Sequence, residues 1–355
     1  ATLFGWAFLF PCLYLLYRAA FEQDRKSFTL LGILAGGLPL IHTHSFLALG
    51  VISAVYLFRS ILRNEEKAQW LGYLRYALIV AVLAGPQLLL FTFRQSGSFL
   101  HFNWNWANET DSFLWFYIKN LGLLFLLLPA ALLGTSKRHR AILSGAGVLW
   151  LLAETIQFQP NPYDNNKLLF VCFAFLCGLI AEYLMRIYRS LRKAEGGRAL
   201  STKLLAVFVT TALFLSGTMT LAREYNSEYE LLGPSEVAAA EFVKESTAPN
   251  ATFLTSNNHN NAIAALTGRN IVCGSGSYLY YHGVNYADRE QALYRMYEEP
   301  TEYFATLSAK YHVDYVYFSS QEFSKFNCDL TYFEENCQCV YNSGGILIYA
   351  VSPTP

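Results

Sequence analysis

The sequence predicts an α-helical polytopic membrane bundle of about eight spans, followed by a small extracytoplasmic α/β domain. Three observations carry this. Apolar runs fill residues 1–222, many close to the roughly 20 residues that a bilayer crossing needs. Only 15% of the 355 residues are charged, against about 25% in ordinary soluble chains. After Arg223 the pattern changes to short alternating elements with loops of ordinary polarity. The chain therefore divides into 1–222, a transmembrane helical domain, and 223–355, an extracytoplasmic α/β domain. Its net charge is zero and it has no basic patch, which argues against a nucleic-acid partner.

The expected spans are 4–18, 28–41, 43–62, 73–94, 113–134, 140–157, 168–186 and 203–222. Residues 28–62 form one apolar stretch, too long for a single simple crossing. Gly36, Gly37 and Pro39 precede the polar sequence Ile41-His42-Thr43-His44-Ser45, so the stretch reads as a hairpin with those polar residues at its tip. One long tilted helix is the alternative. Lys and Arg gather in alternate connections: Arg18, Arg25 and Lys26; Arg59, Arg63, Lys67 and Arg75; Lys137, Arg138 and Arg140; and Arg186 through Lys203. With the hairpin, all four clusters fall on one side, which the positive-inside rule makes cytoplasmic. The opposite side receives the hairpin tip, the loop 95–112, the loop 158–167 and the whole of 223–355. Eight crossings then begin outside, so an odd number of further spans is expected upstream of residue 1.

The loop Phe158-Gln159-Pro160-Asn161-Pro162-Tyr163-Asp164-Asn165-Asn166-Lys167 places an acid, two amides and a base at the mouth of a helix pair. It reads either as a polar site at the bilayer edge or as a solvated connector. Glu154 lies about one turn from the outer end of its helix, and Lys119 near the outer end of another; ionisable groups at such depth are costly and are usually paired or functional. His42 and His44, two apart in a break, are either metal ligands or parts of a hydrogen-bonded tip. His101-Phe102-Asn103-Trp104-Asn105-Trp106 suits an interfacial segment, and secondarily stacking on a sugar ring.

In the C-terminal part, strands are expected at 251–256, 271–273, 313–318, 337–341 and 346–351, with helices at 235–244, 261–266, 287–298 and 301–311. Two loops there are unusually polar. Ser256-Asn257-Asn258-His259-Asn260-Asn261 follows a strand, where ligands bind in open α/β sheets. Gly274 through Gly283 combines glycines with Tyr278, Tyr280, Tyr281 and His282, without the Gly-Lys-Ser/Thr ending of a phosphate loop. Of seven cysteines, Cys12, Cys172 and Cys177 lie in spans; Cys328 is expected to pair with Cys337 or Cys339 in an oxidising compartment. Asn108 and Asn250 begin glycosylation sequons.

The chain resembles the GT-C superfamily, multi-span glycosyltransferases that use polyprenyl-phosphate sugars. The likeness rests on the overall plan and on three stretches: Pro39 with His42-Thr43-His44-Ser45-Phe46; Tyr163-Asp164-Asn165-Asn166-Lys167-Leu168-Leu169; and Thr267-Gly268-Arg269 followed by His282-Gly283. It implies transfer of a sugar from a polyprenyl-phosphate donor in the membrane to a glycan, lipid or protein acceptor at the extracytoplasmic face. Under it, Lys167 contacts the donor phosphate and Asp164 orients the acceptor or a divalent cation, Mg²⁺ or Mn²⁺. His42 and His44 assist at the phosphate or the metal. Asn165, Asn166 and Glu154 bind substrate at the same end, and Asn258, His259, Arg269 and His282 read the acceptor. The acidic first outer loop of the superfamily falls before residue 1, so the chain reads as an N-terminally truncated member. The competing classes are a membrane transporter and a non-catalytic envelope assembly or binding protein.

Overall fold

The computed structural model describes residues 2–93, 100–159, 161–192 and 197–351. Residues 94–99, most of them in the expected loop 95–112, Pro160 and Lys193 lie outside the described residues. The chain forms two compact units that divide after Asn226, a few residues beyond the expected boundary, because the last apolar helix runs on to that residue.

The first unit is helical: α1 (Thr2–Phe21), α2 (Ser27–Ile41), α3 (Thr43–Leu62), α4 (Lys67–Gln87), α5 (Phe113–Leu121), α6 (Leu123–Gly134), α7 (Lys137–Thr155), α8 (Asn166–Leu191) and α9 (Gly197–Asn226). Among the described residues, five helices are long and apolar enough to cross a membrane, or six if the bent pair α5–α6 counts as one. That makes the chain a membrane protein by length and composition. The count is smaller than eight for two reasons. Helix α2 has only 15 residues, and α7 opens with Lys137-Arg138-His139-Arg140.

The break after α2 separates two helices that fold back on each other. His42 is extended (φ −163°, ψ 96°), which ends the i→i−4 ladder. From there α3 returns past α4, where the hydroxyls of Ser53 and Tyr76 lie 3.3 Å apart. It ends at the starting side, where Arg59 stacks on Phe21 at the end of α1. The hairpin therefore holds and the single tilted helix does not. Helix α4 runs parallel to α2 at close range. Gly72 faces Phe28, Gly32 faces Ile79 and Gly36 faces Leu83, and a Cβ on any of these glycines would come within 3.0 Å of its neighbour. Small residues at such seams let backbones approach where lipid supplies no hydrophobic drive. Gly36 and Pro39, read as helix breakers, thus lie inside α2.

The expected span 113–134 is two helices bent by 102°. Gly122 makes the corner with φ +57°, ψ −132°, a conformation that a side chain resists and glycine permits.

The basic connections meet at one end of the bundle. Arg25 reaches Glu66 at 2.6 Å, and Gln69 donates to the Ala19 carbonyl at 2.7 Å. Arg138 donates to the Tyr17 hydroxyl at 2.8 Å, and Arg186 donates to the Gly134 carbonyl. The hairpin break and the connection from α7 to α8 occupy the other end.

The second unit carries α10 (Pro234–Ser246), β3 (Thr252–Leu254), β4 (Asn270–Ile271), α11 (Gly276–Tyr281), α12 (Ala287–Glu298), α13 (Pro300–Tyr311), β5 (Tyr315–Phe318), α14 (Ser320–Lys325), α15 (Leu330–Asn336), β6 (Gln338–Ser343) and β7 (Ile346–Ala350); β1 (His101–Phe102) and β2 (Ile156–Gln157) belong to the first unit. The sheet order is β4-β3-β5-β7-β6. β3 is parallel to β4 and β5, and β7 is antiparallel to β5 and β6. Alternating residues divide the core. Phe253, Tyr317 and Ile348 pack with Ala239 and Val243 of α10. Leu254, Val316, Phe318 and Tyr349 pack with Leu293, Met296, Tyr297, Phe304 and Phe333 on the other face. The β6–β7 hairpin turns at Gly344 and Gly345, both at positive φ (60° and 79°), as a two-residue turn of the right twist requires.

All seven cysteines are free thiols, so the expected disulfide at Cys328 is not formed. Helix α15 stands between Cys328 and Cys337, and its seven residues rise about 10 Å, beyond the 7 Å that a bridge tolerates between Cα atoms. The expected loop at 274–286 contains α11, and α14 and α15 were not anticipated.

Candidate functional site

The polar end of the bundle is built on the C-terminus of α7. A helix leaves its last carbonyls without intrahelical partners, and here each is met. The Ala153 carbonyl accepts from Trp106 Nε1 and Asn165 Nδ2, both at 3.0 Å. The Glu154 and Thr155 carbonyls accept from the backbone N–H groups of Asn105 (3.1 Å) and Asn103 (2.9 Å). The Ile156 carbonyl accepts from Asn165 Nδ2 at 2.7 Å. Two short strands, β1 (His101–Phe102) and β2 (Ile156–Gln157), pair antiparallel beside them. The aromatic-amide segment is therefore a cap for α7. Asn165, wholly buried, is part of that cap; a substrate-binding role for it is left without a free hydrogen-bonding face.

Four of the expected site residues meet at this end. Lys167 Nζ lies 2.9 Å from Asp164 Oδ1, across the junction between a single 3₁₀ turn at Pro162–Asn165 and α8. Both residues are within electrostatic reach of His42 and His44. The two imidazoles lie 5.0 Å apart, centre to centre, tilted by 30°. His44 Nε2 contacts the Gln159 amide, which ties the hairpin break to the loop between α7 and α8. His42 is buried, and its Nδ1 is 2.8 Å from the Ser45 hydroxyl. Its Nε2 is also buried and has no hydrogen-bond partner. A buried polar nitrogen left alone is costly, and in native proteins such an atom is a place to look for function. Asn166, half-buried, is the first residue of α8.

Glu154 belongs to a neighbouring network. It is buried, and Oε2 accepts from the Tyr117 hydroxyl at 2.7 Å, while that hydroxyl accepts from Trp150 Nε1 at 2.8 Å. Lys119 pairs with Asp111.

Two residues here were not anticipated. Gly5 of α1 abuts His42 so closely that a Cβ would lie 2.4 Å from the His42 Cβ. Trp6, next to it, stacks edge-on against Phe170 at 5.9 Å and buries an unpartnered Nε1. A tryptophan near the start of an apolar run was the available signal, but interfacial anchoring explains such a residue equally well.

In the second unit, the polar loops lie at the carboxyl ends of β3, β4 and β5, and most of their side chains bond inward. Buried Glu322 accepts from the Ser256 N–H (2.8 Å), the Ser319 N–H (2.9 Å) and the Ser319 hydroxyl (2.6 Å). Asn258 donates to Gln321 at 3.2 Å, and Asn257 to Glu290 at 2.8 Å. Arg269 donates to the carbonyls of Lys244 and Thr247, each at 2.9 Å, and so caps the end of α10 rather than presenting its guanidinium. His259 Nε2 meets the Tyr278 hydroxyl at 2.9 Å, with Tyr280 and Tyr281 exposed nearby in sequence. His282 is exposed just beyond α11.

Among the described residues, no group of three or more His, Cys, Asp or Glu side chains is placed to hold a metal ion. One carboxylate held by an ammonium, with two imidazoles, is not the oxygen-rich cage that Mg²⁺ or Mn²⁺ takes. At this helix end the Lys167 ammonium is paired with Asp164, and His42 Nε2 and Trp6 Nε1 are buried donors or acceptors without a hydrogen-bond partner. No protein-family model matches this sequence, and no curated protein matches it at a significant level.

Proposed function

We propose that this protein is a multi-pass membrane glycosyltransferase that moves a sugar from a polyprenyl-phosphate donor to an acceptor at the extracytoplasmic face. In this reading the helices make eight crossings, and the end carrying His42 and Lys167 faces outward with the second unit on that side. The observation that carries the reading is the unpartnered His42 Nε2, within electrostatic reach of the Asp164–Lys167 pair, at a helix end that a membrane-borne phosphate can approach.

The reaction breaks the bond between the anomeric carbon and the phosphate oxygen and forms one to an acceptor hydroxyl. Negative charge gathers on the departing phosphate, where Lys167 and the His42 nitrogen stabilise it. Asp164 orients the acceptor hydroxyl, whose proton must leave to a base.

The test is sugar transfer from a radiolabelled polyprenyl-phosphate sugar in membrane vesicles. Lys167→Ala lowers transfer by roughly 10²-fold, the effect of removing one charge-stabilising donor. Asp164→Asn lowers it by about tenfold through lost orientation. Full transfer in both variants overturns the assignment. The bent pair α5–α6 favours a second reading, transport, since transporters use broken helices at their sites. Substrate uptake into vesicles without transfer to an acceptor would establish that reading instead.

A further inference from the structure

The corner at Gly122 sets the depth of α5. Helix α6 has 12 residues, so it rises about 18 Å, well short of the roughly 30 Å of a hydrocarbon core. One end of α6 is fixed at the basic end of the bundle, where Arg186 donates to the Gly134 carbonyl. The other end is Gly122, where the chain bends by 102° and α5 runs across the direction of α6. Helix α7 gives a matching height independently. The Tyr117 hydroxyl of α5 accepts from Trp150 Nε1 at 2.8 Å, and Trp150 stands 13 residues beyond Lys137, about 20 Å at the helical rise. Helix α5 therefore lies across the flank of the bundle about 18–20 Å from its basic end. In a core of ordinary thickness that is about 10 Å below the opposite face.

The residues that α5 presents do not suit such a depth. Lys119 pairs with Asp111, just ahead of the helix, and their side chains are 48% and 24% exposed. Asn120 is exposed beside Lys119. Charged and amide groups open to hydrocarbon are costly. Leu114 and Trp115 are exposed as well, so this side of α5 meets the medium. At about 100° per residue, Leu114 and Ile118 share one side of the helix, and Lys119 and Asn120 stand at least about 100° round from them. That is the division of a helix lying in a membrane interface, its apolar side toward the hydrocarbon and its polar side toward the headgroups.

We infer that α5 is a seat for phospholipid headgroups, which brings the membrane interface down by about 10 Å along this flank. A span too short for its bilayer thins the lipid around it, and α6 is such a span. The Asp111–Lys119 pair is neutral overall, so the seat suits a zwitterionic headgroup. Glu154, which accepts from the Tyr117 hydroxyl, then stands at headgroup level on this flank instead of within hydrocarbon. The inference needs only that α6 crosses the bilayer. It stands independently of the transferase reading and of which face is outside.

Spin-label depth measurement tests it on the full chain in phosphatidylcholine vesicles. Labels are placed at Asn120→Cys and, for reference, at Gly50→Cys, each on a cysteine-free background. Gly50 is exposed on α3, with nothing within 4 Å of an added Cβ. It stands 12 residues from Leu62 at the basic end, about 18 Å at the helical rise, which is the height of α5. Collision with dissolved oxygen and with a water-soluble nickel chelate reports the depth of each label. The Asn120 label should read headgroup depth, and the Gly50 label should read about 10 Å deeper. Equal depths for the two labels overturn the inference, as does an Asn120 label in bulk water or one screened from both reagents by protein.

Discussion

Gly5 makes room for His42: a Cβ built on the glycine would lie 2.4 Å from the Cβ of the histidine. Helix α1 can therefore press its backbone against the break between α2 and α3, and the buried His42 ring is held between that backbone and the Ser45 hydroxyl. Gly5→Ala is expected to push the ring aside and to cost about 1–3 kcal/mol, the usual result of overpacking. Gly37→Ala is the control, since nothing lies within 4 Å of its added methyl; with its better helix propensity it should be neutral or slightly stabilising. Melting in detergent compares the two. Equal midpoints would show that the contact at Gly5 relaxes without consequence.

Tyr117 and Glu154 invite a separation of partner from charge. Tyr117→Phe removes the hydroxyl that donates to buried Oε2 of Glu154 and also strands the Trp150 N–H. Leaving buried polar groups unpaired costs about 1–3 kcal/mol each. Glu154→Gln keeps an acceptor for the same hydroxyl and should cost less. Melting midpoints in the order wild type, Glu154→Gln, Tyr117→Phe are expected. The reverse order of the two variants would mean that the carboxylate itself, not its hydrogen bond, holds this end together.

How much of this was legible depends on the kind of signal. The ends of the long helices fall near the expected residues because Lys and Arg punctuate the apolar runs, whereas Pro11, Pro39, Pro86 and Pro129 lie inside helices. The hairpin was legible because 35 apolar residues interrupted by a polar tip cannot cross once. The corner at Gly122 was not, since one glycine inside a continuous apolar run says nothing about its φ. Asn165 and Arg269 show a different limit. A ligand site and a helix C-terminus both call for amide and guanidinium donors, and only the position of nearby carbonyls decides between them. Asp164, Lys167, His42 and His44 could be named as a group because topology puts their segments at one end. The short helices α11, α14 and α15 have at most seven residues, too few for an apolar period to declare itself.

The free cysteines differ in reactivity, and pH separates them. Burial pushes the Cys328 thiol up to about 12, with the charges of Glu322 and Glu298 adding to the effect. Burial likewise raises Cys337. A raised thiol value means less thiolate, the reactive form, at any pH below it. Cys339 is exposed on β6. Alkylation of the native protein at pH 8 without reductant should therefore modify Cys339 first and leave Cys328 largely unmodified, with its rate still climbing as pH rises toward 10. Denaturant should then expose Cys328 as a titratable thiol. Recovery of a Cys328 disulfide from unreduced protein would contradict the free-thiol state.

Sidedness decides whether the polar end can meet a lipid-borne sugar outside the cell, and the bundle supplies two positions that report on it. Glu109 is exposed in the loop that caps α7, at the end carrying His42; Lys137 is exposed at the start of α7, at the basic end. Helix α7 separates these ends by 19 residues, about 28 Å at the helical rise and close to the thickness of a hydrocarbon core. The positive-inside rule predicts that Lys137, amid concentrated Lys and Arg, is cytoplasmic and that Glu109, Asp164 and Lys167 are outside. On a cysteine-free background, a membrane-impermeant maleimide applied to intact cells should label Glu109→Cys and spare Lys137→Cys until the membrane is permeabilised. The reverse pattern would invert the bundle and turn the Asp164–Lys167 end toward the cytoplasm, where nucleotide-sugar donors replace lipid-linked ones. Labelling of both positions in intact cells would mean that α7 does not cross, and the eight-crossing arrangement would fall with it.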